Sequence, residues 1–100
     1  METTEKNKLI SEFMQFEQLK NNHYECIINN ETKILPPQSM LFQSDWNWLM
    51  EVVQEITTTT EFNADYPNNS VFWDAYNQID KTEIYNACVE FIKWYNQQKQ

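Results

Sequence analysis

From Glu5 to Leu19 the apolar residues Leu9, Ile10, Phe13, Met14 and Phe16 recur at i, i+1, i+4, i+5 and i+7. That spacing predicts one face of an amphipathic helix. Lys8, Ser11, Glu12 and Gln15 take its wet face, and Asn21-Asn22 ends it. The period then shortens to two. Tyr24, Cys26 and Ile28 alternate with Glu25 and Ile27, Asn29-Asn30 fits a two-residue turn, and Thr32 to Leu35 returns, which together predict a hairpin. Pro36-Pro37 closes the return strand, because neither residue can donate to a ladder. Residues 36–43 read as a linker. Ser44 or Asp45 then caps a second helix, Trp46 to Ile56. Its predicted buried face is Trp46, Leu49, Met50 and Val53, with Asn47, Glu51, Gln54 and Glu55 on the polar stripe.

The run Thr57 to Thr60 interrupts helical preference, since β-branched residues lose χ1 freedom in a helix. A second hairpin is expected from Thr58 to Tyr76. In it Thr58, Thr60, Phe62, Ala64 and Tyr66 share one face, Pro67-Asn68-Asn69-Ser70 forms the turn, and Val71, Trp73 and Ala75 return. Asp80 and Glu83 have capping-box spacing ahead of a last helix to Asn96. That helix is apolar around most of its circumference, which predicts a central place on the sheet. Its tail, Gln97 to Gln100, is expected to fray. The resulting order is α-ββ-α-ββ-α in one domain, residues 1–100. The expected class is α+β: a sandwich with helices packed on a small antiparallel sheet.

Composition narrows the chemistry. Fifteen acids face seven bases, all of them Lys, for a net charge of −8. Bidentate recognition of phosphates and bases depends on Arg, and phosphate affinity depends on cationic neutralisation. An Arg-rich nucleic-acid surface is therefore not expected, and a partner with a basic surface is favoured. Glycine is absent altogether, which removes the phosphate-cradling loops and the nucleophile elbow. Apolar runs are too short for a spanning helix. The first ten residues lack the basic start and apolar block of a secretory signal, so the expected setting is cytoplasmic.

Two stretches carry a resemblance. Ser44-Asp45-Trp46-Asn47-Trp48-Leu49-Met50-Glu51-Val52-Val53-Gln54-Glu55-Ile56 and Ile84-Tyr85-Asn86-Ala87-Cys88-Val89-Glu90-Phe91-Ile92-Lys93-Trp94-Tyr95-Asn96 resemble motifs of small uncharacterised phage and prophage proteins of Bacteroidota. The opening helix, Lys8 to Met14, is similar to that group's first helix. These proteins resemble in turn the phage ABA-sandwich domain, layered α/β/α. The resemblance covers the three helices and neither hairpin. It implies mobile-element ancestry, a bacterial host cytoplasm and a role at the phage–host boundary, and it brings no catalytic or binding residues with it.

No catalytic set emerges. A zinc site would have to gather His23, Cys26, Cys88 and a carboxylate from distant positions. Ser11, Ser39, Ser44 and Ser70 would share His23 as their one base, and Cys26 or Cys88 paired with His23 is the remaining nucleophilic option. The expectation is a non-enzyme without metal or cofactor, and with two buried thiols. Trp46 and Trp48 project about 200° apart on a helix and cannot face one core. Trp48 is either an exposed aromatic rimmed by acids, as contact patches are, or packed under the Pro36-Pro37 linker. The candidate partner-binding residues are Asp45, Trp48, Glu51, Glu55, Glu61 and Asp65. The expected function is an anti-CRISPR-like inhibitor that binds a host nucleic-acid enzyme, such as an RNA-guided nuclease, through that acidic surface. The alternative is a self-associating accessory protein of the phage.

Overall fold

A computed structural model describes residues 2–98. The protein is α+β: these residues form five α-helices and one three-stranded antiparallel sheet. Helix α1, Thr3–Phe13, is shorter than its apolar pattern suggested. It closes in a Schellman-type turn, with Gln15 left-handed (φ 61°), the Gln15 amide on the Glu12 carbonyl and the Phe16 amide on that of Ser11. The chain then enters β1, Glu17–Gln18, which pairs with β2, Tyr24–Ile28. Asn29 and Asn30 (φ 54° and 65°) make the expected tight turn into β3, Glu31–Leu35, with Ile28 opposite Glu31 and Tyr24 opposite Leu35. A turn with positive φ at both central positions suits Asn where Gly is missing. The β2 side chains Tyr24, Cys26 and Ile28 point into the core, against α2, Trp46–Thr57.

The expected second hairpin does not form. Residues 60–77 are instead two short helices, α3 at Thr60–Ala64 and α4 at Asn69–Asn77. The threonine run explains the difference. The hydroxyls of Thr57, Thr58 and Thr59 donate to the carbonyls of Gln54, Glu55 and Ile56, three residues back. Thr59 Oγ1 also accepts from the Phe62 amide and so caps α3. These residues end one helix and start the next, a role in which a short hydroxyl outweighs β-propensity. Asn69 Nδ2 then ties α4 to α3 through the Phe62 carbonyl.

The last helix, α5, spans Lys81–Gln98 and is capped by Asp80 Oδ1, which accepts from the amides of Thr82 and Glu83. The final two positions of the tail expected to fray lie outside the described residues. The neighbours of α5 are α1, α2 and α4, so its broad apolar surface is covered by helices where a place on the sheet was expected. Helix covers one face of the sheet. The other, with Ile27 54% and Ile34 59% exposed, is open, so the α/β/α layering implied by the resemblance is not what these residues build.

An aromatic network joins the helices, with Phe62 and Phe91 as its hubs. Phe62 lies against Tyr66, Phe72, Trp73 and Phe91, and Phe91 also meets Phe13, Tyr66, Trp94 and Tyr95, at centroid distances of 4.9–6.1 Å.

Left-handed backbone occurs at Gln15, Asn21, Asn22, Asn29, Asn30 and Ile79. Ile79, just past α4 at φ 55°, is the one β-branched member, and its side chain is 74% exposed. A Cβ in this region costs about 1–2 kcal/mol, partly offset for Gly by about 0.5–1 kcal/mol of unfolded-state entropy. Ile79→Gly should therefore stabilise the fold by about 0.5–1 kcal/mol, seen as a higher urea midpoint at unchanged slope.

Candidate interaction surface

The sequence-selected residues part company in three dimensions. Trp48 is 3% exposed and packs edge-on against Phe42, centroids 5.1 Å apart, beneath the linker. It is a core residue, and the expectation of an exposed contact aromatic is corrected. The buried face of α2 is Trp48, Leu49, Val52, Val53 and Ile56, one position round from the predicted stripe. Trp46 is consequently the half-buried tryptophan of the pair.

Asp45 caps α2, its Oδ1 accepting from the Asn47 amide at 2.8 Å, and shares a shallow cleft with Glu31, Lys33 and Asn29 at the hairpin tip. Glu51 faces the same tip, its Oε1 accepting from the Asn29 amide at 3.2 Å. Glu55 lies one turn further along α2, where it shares a polar cleft of about 250 Å³ with Glu12, Gln15, Thr59 and Asn96. Glu61 lies on α3 and Asp65 is its C-cap, the Asp65 amide bonding the Glu61 carbonyl at 3.0 Å, where a strand face had been expected. Asp45 caps the start of α2, Glu51 and Glu55 lie one turn apart along it, and Glu61 and Asp65 belong to the adjoining short helix and its C-cap.

What unites the surface is charge without compensation. Among the described residues the one ion pair is Lys93 Nζ to Glu90 Oε1, at 3.8 Å. Lys6 instead donates to Asn86 Oδ1 and lies over the Tyr85 ring. Lys81 donates to the Ser44 carbonyl and lies 5.6 Å from the centroid of Trp46. Two of the scarce cations are thus held by neutral groups, and the acid surplus faces solvent.

Sequence reading missed an apolar groove. Trp46, Met50, Tyr76, Ile79 and Ile84 line a depression of about 200 Å³ where the end of α4 meets α2 and α5. Its one available signal was Ile79, an aliphatic residue between two helices that fits neither periodicity.

The candidate chemical groups are dispersed or sealed. His23 Nδ1 bonds the Asn21 carbonyl at 2.8 Å, and no hydrogen bond joins it to a serine or cysteine among the described residues. Among those residues no set of three His, Cys, Asp or Glu side chains is placed to hold a metal ion, and no helix is long and apolar enough to cross a membrane. Cys26 and Cys88 are free and buried, as expected. Burial pushes the Cys26 thiol from 9.0 up to about 11, raises Cys88 further, and pushes the Tyr85 phenol up to about 12. These groups are neutral in the folded state and ionise more readily unfolded, so their contribution is complete below the unfolded values and is lost as pH rises through the folded ones. Stability should be flat in this respect up to about pH 9 and fall between about pH 9 and 12. Urea titrations at stepped pH would show it, and Cys26→Ala should soften the onset.

No family model, no curated protein and no solved structure matches the chain.

Proposed function

We propose that the protein is a non-enzymatic binding protein whose acidic surface engages a basic macromolecular partner. By its resemblance to phage helices, we place that partner among host nucleic-acid enzymes, with an RNA-guided nuclease as the leading case. The reading is carried by the uncompensated charge: net −8, no Arg, and a single ion pair among the described residues. Nucleic-acid enzymes have cationic channels, and a compact acidic domain is attracted to them at long range. Such binding blocks or distorts nucleic-acid engagement with no chemical step. The setting implied is a bacterial host cytoplasm.

The test is affinity capture from bacterial lysate with and without nuclease treatment. It would be run in parallel with a variant reversing Glu51, Glu55, Glu61 and Asp65 to Lys. Recovery of a basic nucleic-acid enzyme is expected, lost in high salt and at least tenfold weaker for the variant. Undiminished capture by the variant would overturn the acidic mechanism. The open sheet face at Ile27 and Ile34 favours the second reading, self-association. A salt-insensitive dimer in sedimentation at two concentrations, abolished by Ile27→Lys, would establish it in place of the first.

A further inference from the structure

Alternation along β2 and β3 sends Tyr24, Cys26 and Ile28 to the core and leaves Glu25, Ile27, Thr32 and Ile34 on the open face of the sheet. Strand register extends that face to β1. Glu17 stands directly opposite Glu25, and Ile34 stands opposite Glu25 on its other side. Like charges set opposite one another weaken a strand pair. Nothing relieves them here: among the described residues neither carboxylate has a hydrogen bond or an ion pair. The cation of β3, Lys33, is opposite Cys26 and belongs to the covered side, where it shares a cleft with Asp45 and Trp48.

The two carboxylates line a depression of about 340 Å³ together with Met14, Gln15, Phe16 and Ile27. No lysine is among its walls. The left-handed turn at Gln15 builds the apolar side, because it carries Met14 and Phe16 round into β1. The floor lies open, with Ile27 54% exposed, whereas small-molecule sites bury most of their ligand. An open surface of apolar side chains and paired negative charge is complementary to a chain segment with apolar and cationic side chains.

We propose that this sheet face is a docking site for a short basic segment of a partner protein. An apolar side chain of the segment packs on Met14, Phe16 and Ile27, and a neighbouring Lys or Arg reaches between Glu17 and Glu25. The proposal rests on the acidic-binding reading and names the place at which the partner is held. The acids of α2 and α3 then supply long-range attraction. Ile27 and Ile34 alone would suit a second copy of the chain. A two-fold pairing of this face, however, lays carboxylate on carboxylate, and each copy brings a net charge of −8.

The test is an NMR titration of the full chain with three synthetic peptides, following the methyls of Met14, Ile27 and Ile34. One peptide is made of leucine and lysine, the second replaces its leucines by serine, and the third replaces its lysines by glutamate. The leucine–lysine peptide should shift all of these methyls. The serine–lysine peptide should bind about tenfold more weakly, and the leucine–glutamate peptide should leave the face unmoved. Glu17→Gln combined with Glu25→Gln should weaken the leucine–lysine peptide about tenfold and flatten its salt dependence. The melting temperature of that variant should hold or rise, because a like-charged pair has gone. Ile27→Thr keeps a β-branched strand residue and should also weaken the peptide. Undiminished affinity in the double glutamine variant overturns the proposal. So do shifts confined to the surroundings of Glu51, Glu55, Glu61 and Asp65, although the acidic reading then survives. Failure of both lysine peptides to bind at low salt overturns both readings. Shifts at Ile27 produced by the leucine–glutamate peptide overturn the basic chemistry, and concentration-dependent shifts without peptide overturn it in favour of a second copy.

Discussion

Phe91→Ala should lower stability by about 3–5 kcal/mol, the range for truncating a large buried aromatic. Phe91 is fully buried on α5 and holds Phe13 of α1, Phe62 of α3 and Tyr66 at 5.0–6.1 Å. Its loss therefore opens a cavity among several elements at once, and neighbouring rings in edge-on geometry cannot all collapse into it. Against a total stability of about 5–15 kcal/mol for a domain of this size, that is at least about a fifth. The melting temperature should fall by about 15 °C or more. Phe91→Leu retains most of the volume and should cost about 1.5 kcal/mol or less. Equal losses for the two variants would show that the cost is not one of cavity volume.

The second large effect lies at the opposite extreme of polarity. Asn7 is buried on α1, with its Nδ2 donating to the Pro37 carbonyl at 2.9 Å and its Oδ1 accepting from the Tyr85 hydroxyl at 2.8 Å. One side chain thus fastens the linker and α5 to α1. Beside it, the Ser11 hydroxyl donates to the Asn7 carbonyl and approaches Met40 Sδ at 3.0 Å. Asn7→Ala leaves the buried Pro37 carbonyl without its donor and the Tyr85 hydroxyl with only its longer contact to the Thr3 carbonyl at 3.5 Å, for an expected loss of about 2–4 kcal/mol. Tyr85→Phe alone should cost about 1 kcal/mol. In the Asn7→Ala background it should cost less, because the hydroxyl it removes has already lost its 2.8 Å partner and keeps only the Thr3 carbonyl at 3.5 Å. Denaturant titration of the four proteins closes the cycle, and strict additivity would refute the coupling.

These residues show what was legible in the sequence and what was not. The β2–β3 hairpin was readable because strict alternation and an Asn-Asn turn agree with one another. Helix α1 was readable from its period and α5 from its period and the Asp80 cap, although α1 stops early, before the left-handed Gln15, whose side chain gives no warning of it. The segment after α2 was misread because Phe62 and Tyr66 satisfy a period of two and also the i, i+4 spacing of a helix. What decided the outcome was threonine hydroxyls bonding backward to carbonyls, which propensity scales do not register. The rotation of α2 was ambiguous for a related reason. Trp46 and Met50 make one plausible stripe and Trp48 and Val52 another, and Phe42, from a linker without periodicity, selects the second. Acids on one helix were readable as a charge stripe. The bond from the hairpin tip to Glu51 and the cleft beside Glu55 needed the fold, and the groove at Ile79 needed two helix ends to meet.

The two thiols provide a timing device. Cys26 lies in the central strand and Cys88 in the last helix, both sealed from solvent with the reactive thiolate suppressed. An alkylating reagent can reach either one only when the surrounding layer opens. Single-cysteine versions therefore carry separate clocks for the sheet and for the helical bundle. The ratio of their labelling rates says whether the domain breathes as one cooperative body or lets its hairpin go first.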